Sequence, residues 1–138
     1  MKRKRLTPWQ QQKLGVEEDP KAVFDALKRQ ATTLCRAAVM EDWGDRCAKC
    51  KHFDKPWNKL EWHHLIGTGH WAHKFNPKNG MALCHDHHKW ATNRPSEFDD
   101  WLRDNHHCIW AWRNKHRRDV GKRTTAFLEE QIAILENL

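Results

Sequence analysis

Apolar side chains recur three and four residues apart from Val23 to Ala38, through Phe24, Leu27, Ala31, Leu34 and Cys35, the period of a helix with one buried face. Asp19 followed by Pro20 supplies an N-cap and a proline at the first helical position. The pattern therefore predicts a helix over 19–43, its regular part ending near Met40 and Gly44 of "DWGD" breaking it. Cys35 lies on the apolar stripe and reads as core. Residues 45–60 are rich in turn formers. "LEWHHLI" (60–66) and "MALC" (81–84) read as short strands separated by the long loop "GTGHWAHKFNPKNG", and a helix is expected from about His85. "RPSEFDDWLRDN" restarts a helix, with Ser96 and Asp99 spaced as a capping box. "IWAWRNKHRR" reads as helical, and Leu128, Ile132 and Leu135 mark a last helix in "TTAFLEEQIAILENL". Residues 1–18 show no such period and read as a flexible arm. The expectation is a mostly helical α+β chain, without repeats.

At 138 residues the chain suits one domain, over 19–138, with a modest core. No apolar run approaches the roughly 18–20 residues of a membrane span. The basic start "MKRKRLTPWQQQK" lacks the apolar stretch of a secretory signal, so a cytoplasmic location is expected. Net charge is +7, concentrated in residues 1–13 and in "RNKHRRDVGKR" (113–123). Basic runs flanking a polar centre point to a polyanion, most often nucleic acid. Most of the nine Trp are expected in core or rim packing.

The five cysteines, at 35, 47, 50, 84 and 108, are an odd set for a disulfide framework. "CAKC" puts Cys47 and Cys50 at the spacing that lets one tight turn aim two thiolates at one ion, and "LCHDHH" offers Cys84 and His87 at the same spacing. Two such pairs complete the closed, four-ligand arrangement of a structural zinc site. Beside these pairs stand His88 and, upstream, His63 and His64 of "EWHH". His63 and His64 are neighbours on a predicted strand and so point to opposite faces, which lets one bind an ion while the other faces a substrate. His63 with His88 makes a second, open metal site, and His64 beside it is a candidate general base, since a neutral imidazole can take a proton from water. An ion with open positions beside a histidine base, in a basic protein, implies phosphodiester hydrolysis.

"CAKC…EWHHLIGTGHWAHKFNPKNGMALCHDHHKW" resembles the zinc-containing HNH (His-Asn-His) endonuclease family, most closely its small phage and prophage members, over about residues 45–92. The resemblance implies a ββα-metal core with a zinc knuckle at 44–92, flanked by N- and C-terminal helices (93–138 for the latter). It implies His63 and His88 as ligands of a catalytic ion, His64 as general base, and Asn79 as the residue bracing the loop that orients the base. Cys47, Cys50 and Cys84 match three zinc cysteines. His87 stands where the family usually has a fourth, so the choice among His85, His87 and His88 stays open. Magnesium, manganese, nickel and zinc all suit the open site, with cobalt also compatible with two imidazoles.

His70, His73 and Lys74 lie in the loop that would approach a DNA backbone, and Arg117 and Arg118 are expected on a folded helix that also contacts DNA. His85 reads as exposed, Asp86 as a partner behind a ligand, and His52, His106, His107 and His116 as surface residues. The expected function is a metal-dependent DNA endonuclease, acting in phage DNA processing or recombination and residing in the host cytoplasm if phage-encoded. The alternative is a non-catalytic zinc module that binds DNA or an assembly partner.

Overall fold

The computed structural model describes Thr7, residues 19–50 and residues 59–138. The basic arm (but for Thr7) and His52 lie outside the described residues. Among the described residues the chain is α+β and mostly helical, with five helices and one two-stranded antiparallel sheet. Helix α1 (Pro20–Asp42) is followed by strand β1 (Leu60–His64), two 3-10 turns (Trp71–His73 and Pro77–Asn79), β2 (Gly80–Cys84), α2 (His85–Asn93), α3 (Pro95–Asn105), α4 (His107–His116) and α5 (Thr125–Glu136).

Helix α1 begins as its sequence predicts, with the Asp19 side chain accepting from Lys21 N and Pro20 in the first turn. It runs two residues beyond Met40 and stops at Gly44 and Asp45, both at positive φ (63° and 55°), the left-handed turn that glycine enters without strain. Its apolar stripe (Leu27, Ala31, Cys35, Val39) packs with Leu128, Ile132 and Leu135 of α5 and with Trp71 and Phe75 of the loop. Truncating a fully buried leucine such as Leu128 (0% exposed) costs about 2–5 kcal/mol. A second core unites Met81, Leu83 and Cys84 of β2 with Cys47, Ala91 of α2, and Phe98 and Leu102 of α3. Strand β2 is buried along its whole length, because α1 covers one face and α2 and α3 the other.

The sheet register pairs Leu60 with Cys84 and His64 with Gly80. The ladder extends beyond both strands: Leu65 N donates to Asn79 O (3.0 Å) and Ala48 N donates to Ala82 O (2.8 Å). The second of these bonds pins the segment carrying Cys47 and Cys50 to the central strand. At Gly80 a Cβ would lie 2.7 Å from Trp62 Nε1 and overlap Val39, so the glycine permits the close approach of α1 to the hairpin.

Two local expectations are corrected. Ser96 does not cap α3: Arg94 occupies the N-cap without a side-chain bond, Pro95 takes the first turn, and Asp99 instead pairs with Arg113 of α4. Arg117 is the C-cap of α4 and Arg118 lies in the turn beyond it, rather than within the helix. The long loop is ordered by its two 3-10 turns, the second capped by the Asn76 side chain accepting from Lys78 N.

Candidate metal centre and histidine cluster

The turn after α1 and the start of α2 bring four ligand atoms together. His87 Nδ1 lies 3.3 Å from the sulfurs of Cys47, Cys50 and Cys84, and Cys50 Sγ lies 3.9 Å from Cys84 Sγ. Tetrahedral ligation with metal–sulfur bonds of about 2.3 Å and metal–nitrogen bonds of about 2.0 Å gives edges of about 3.5–3.8 Å, so these atoms fit around one ion with small adjustments. The strand end fixes Cys84, which is also the N-cap of α2: its sulfur accepts from His87 N (3.4 Å). One turn of helix then returns His87 over the sulfurs. His85 and His88 turn toward Glu61 instead, so of the three histidines it is His87 that joins the sulfurs. The group Cys47, Cys50, Cys84 and His87 could hold a metal ion.

Electrostatics fit that role. Burial pushes the Cys50 thiol up to about 12, with Cys47 and Cys84 adding to the rise. Burial also raises Cys84. At Cys47 burial is outweighed by backbone hydrogen bonds from Cys84, Lys49 and Cys50, which hold the thiol below its usual range. Three thiols this close resist joint ionisation, and a divalent cation among them removes that repulsion. Burial and the nearby Lys49 charge lower His87, keeping its imidazole neutral, while Asp86 opposes them.

His63 and His64 diverge from β1. His63 shares a sheet face with Glu61 and meets His88 edge to face, ring centres 5.2 Å apart, with Phe98 behind it at 4.9 Å. Burial, then the charges of His88 and His64, pull His63 down to about 4, so its imidazole is neutral at neutral pH. His88 Nδ1 lies 3.1 Å from Glu61 Oε1, and His85 Nδ1 lies 3.2 Å from the same oxygen. Partial burial raises the Glu61 carboxyl, but the His88 and His85 hydrogen bonds prevail and hold it below its usual range. With Nδ1 engaged, His88 has Nε2 left to bind an ion.

His64 takes the other sheet face, its ring 4.1 Å from that of Trp62. Its Nε2 donates to Lys74 O (3.2 Å). A carbonyl only accepts, so the ring proton sits on Nε2 and the Nδ1 lone pair is free to take another. Burial lowers the His64 pKa; the Lys74 carbonyl opposes this, and the charges of Lys74 and His88 reinforce it. The carbonyl that orients His64 belongs to the loop held by Asn79. This side chain is fully buried and is the only buried polar one among the described residues. It accepts from Ile66 N (2.6 Å) and donates to Ile66 O (3.2 Å) and His73 O (3.1 Å).

Of the predicted DNA contacts, His70 is exposed at the start of the first 3-10 turn. Lys74 is partly buried with Nζ 4.9 Å above the Trp71 ring, and burial, then Lys28 and Arg123, lower its pKa. His73 is turned inward, bonded to Asp119 (2.8 Å) and Asn76 (3.2 Å). His116 also has a partner in Asp119 (2.7 Å), contrary to its reading as a plain surface residue. His106 packs against Trp43 and Trp101, and burial lowers its pKa. Arg117 and Arg118 are exposed.

Glu61 was missed in the sequence. Its signal was its place two residues before His63 on a strand, hence on the same face. Among the described residues no helix is long and apolar enough to cross a membrane. Compared with protein-family models, curated proteins and solved structures, the chain matches none.

Proposed function

We propose that the chain is a metal-dependent DNA endonuclease of the HNH kind, with a ββα-metal core spanning β1, β2 and α2. The observation that carries this reading is the pose of His64: its Nε2 proton is held by Lys74 O and its Nδ1 is left basic, within electrostatic reach of His88. Two imidazoles bound to one ion at about 2.0–2.1 Å have ring centres about 5 Å apart, and those of His63 and His88 are 5.2 Å apart. Glu61 behind His88 fits the carboxylate partner that metal-ligating histidines commonly have.

In this reading Cys47, Cys50, Cys84 and His87 hold a structural zinc that joins the knuckle to α2. His63 and His88 hold the catalytic divalent ion, magnesium, manganese, nickel or zinc, which when bound stabilises negative charge on the scissile phosphate and leaving oxygen. His64 accepts a proton at Nδ1 from the attacking water as its oxygen bonds to phosphorus and the bond to the leaving oxygen breaks. Asn79 holds the loop that keeps His64 in this pose. Exposed His70, Arg117 and Arg118 supply sequence-independent attraction for the DNA backbone, and Lys74 adds a positive charge from the loop.

The packing of His63 on Phe98 and of His64 on Trp62 favours a second reading, in which both rings serve the core of a non-catalytic zinc module that binds DNA. Supercoiled plasmid incubated with the protein and Mn²⁺, with and without EDTA, separates the two. Conversion to nicked or linear DNA only in the ion's presence supports the nuclease. DNA binding with no conversion under any divalent ion supports the module.

A further inference from the structure

A second cluster lies outside the Cys3His group and the His63–His88 pair. His73, in the first 3-10 turn, His116, the last residue of α4, and Asp119, three residues further on, bring one nitrogen each from the histidines and one carboxylate oxygen within 4.8 Å of one another. Asp119 Oδ2 is 2.8 Å from His73 Nε2 and 2.7 Å from His116 Nδ1. We propose that His73, His116 and Asp119 form a binding site for a zinc-class divalent ion, built from different residues than the Cys3His group and the His63–His88 pair.

The framework holds these atoms in convergence. Trp112 stands edge-on to the His73 ring at 5.1 Å and lies against that of His116 at 5.0 Å, fixing both planes. Asp119 N donates to His116 O (2.9 Å), which turns the carboxylate back toward the helix end. Beyond it, Gly121 approaches Trp71 and Ala72 so closely that a Cβ would lie 2.7 Å from the Trp71 carbonyl carbon, tying this strand of chain to the turn that carries His73. The side chains of His73 and His116 are 17% and 29% exposed and that of Asp119 43%, so solvent reaches one side, where water would complete the coordination. Two imidazoles and one carboxylate suit zinc, nickel, cobalt or copper better than magnesium or calcium. Ligand atoms on one such ion sit about 2.9–3.4 Å apart, so a modest opening of the two hydrogen bonds admits it.

The ring protons set the requirement for binding. Asn76 Oδ1 accepts from Lys78 N, so its Nδ2 faces His73 Nδ1 (3.2 Å). Nδ1 is therefore the acceptor and the His73 proton sits on Nε2, toward Asp119. Ligation through Nε2 moves that proton to Nδ1, and the Asn76 amide must turn over to accept it, giving up its cap on Lys78. An Asn76→Asp variant removes this conflict: one carboxylate oxygen caps Lys78 N and the other accepts from Nδ1.

The test is a Zn²⁺ titration of the full chain with its Cys3His group already zinc-loaded, followed by ¹⁵N NMR of the histidine rings. His73 Nε2 and His116 Nδ1 should shift together, with an affinity distinct from that read at His63 and His88. Asp119→Asn should weaken the zinc affinity read at these rings at least about tenfold, and Asn76→Asp should tighten it, on the scale of about 10–100-fold known for partners of metal-bound histidines. Retained zinc at the Cys3His group and an unchanged circular dichroism spectrum establish that each variant is folded. Rings of His73 and His116 that do not respond to Zn²⁺, or unchanged affinity in both variants, overturn the site.

Discussion

Replacing Asn79 with alanine removes three hydrogen bonds from a side chain with no exposure to solvent. The Ile66 N–H is left without a partner at a residue only 4% exposed, and an unsatisfied buried donor costs about 1–3 kcal/mol. The carbonyls of Ile66 and His73 also lose a donor, but each keeps the chance of another partner and adds less. The expected total is about 3–4 kcal/mol, a large fraction of the roughly 5–15 kcal/mol that stabilises a domain. Asn79→Asp should be no milder: it keeps the acceptor for Ile66 N and sets a carboxylate against two carbonyl oxygens. Function should fall further than stability. His73 and Lys74 are neighbours, and once His73 O is released Lys74 O no longer holds the His64 ring 3.2 Å away. Urea unfolding of zinc-loaded protein measures the first effect, as a lower midpoint at constant slope. Plasmid cleavage well below the unfolding midpoint measures the second. A loss of less than 1 kcal/mol, or normal cleavage by a folded Asn79→Ala protein, would refute the view that this one side chain anchors the loop.

Cys84→Ser should abolish tight binding of one zinc per chain and leave the protein unfolded at room temperature, as metal analysis and circular dichroism would report, because Cys84 belongs to the group that could hold the ion and also caps α2. His63→Ala and His88→Ala should raise the Mn²⁺ concentration needed for cleavage and be partly rescued by excess Mn²⁺, whereas His64→Ala should not; equal rescue of all three would contradict the division of roles. Stability without added divalent ion should fall as pH drops from 6.5 toward 4, because His63 is held at about 4 in the fold against 6.5 when free and the unfolded chain takes up the proton first. The two values correspond to about 3 kcal/mol lost by pH 4 and none above pH 6.5, and His63→Leu should remove that share of the slope in urea titrations at several pH values.

Much of the fold was legible because its signals are local. The α1 stripe, the two strands and the α5 leucines each carry their own period, and Asp19–Pro20 marks a helix start without reference to anything distant. The four residues of the Cys3His group were legible as two matched pairs, although only the fold separates His87 from its neighbours, since His85, two residues before it, and His88, one after, both turn toward Glu61. What escaped depends on contacts far apart in the chain. Asp99 matched a cap for Ser96 by spacing, but Arg113 on the next helix claims its carboxylate. His73 read as a loop contact for DNA and His116 as a plain surface residue; their common partner, Asp119, lies 46 residues from the first. Glu61 needed only the alternation of a strand, yet an acid among histidines carries no signal until a helix brings His85 and His88 against it.

The central claim is that His64 acts as a base on DNA beside a bound ion. It is tested most directly by the single-turnover rate of plasmid cleavage at saturating protein and Mn²⁺, for wild type and His64→Ala, with DNA affinity and zinc content measured on the same samples. The account predicts unchanged affinity and zinc content and a rate reduced by about 10²-fold or more. Equal rates in the two proteins, or no cleavage by wild type with any divalent ion, would contradict it.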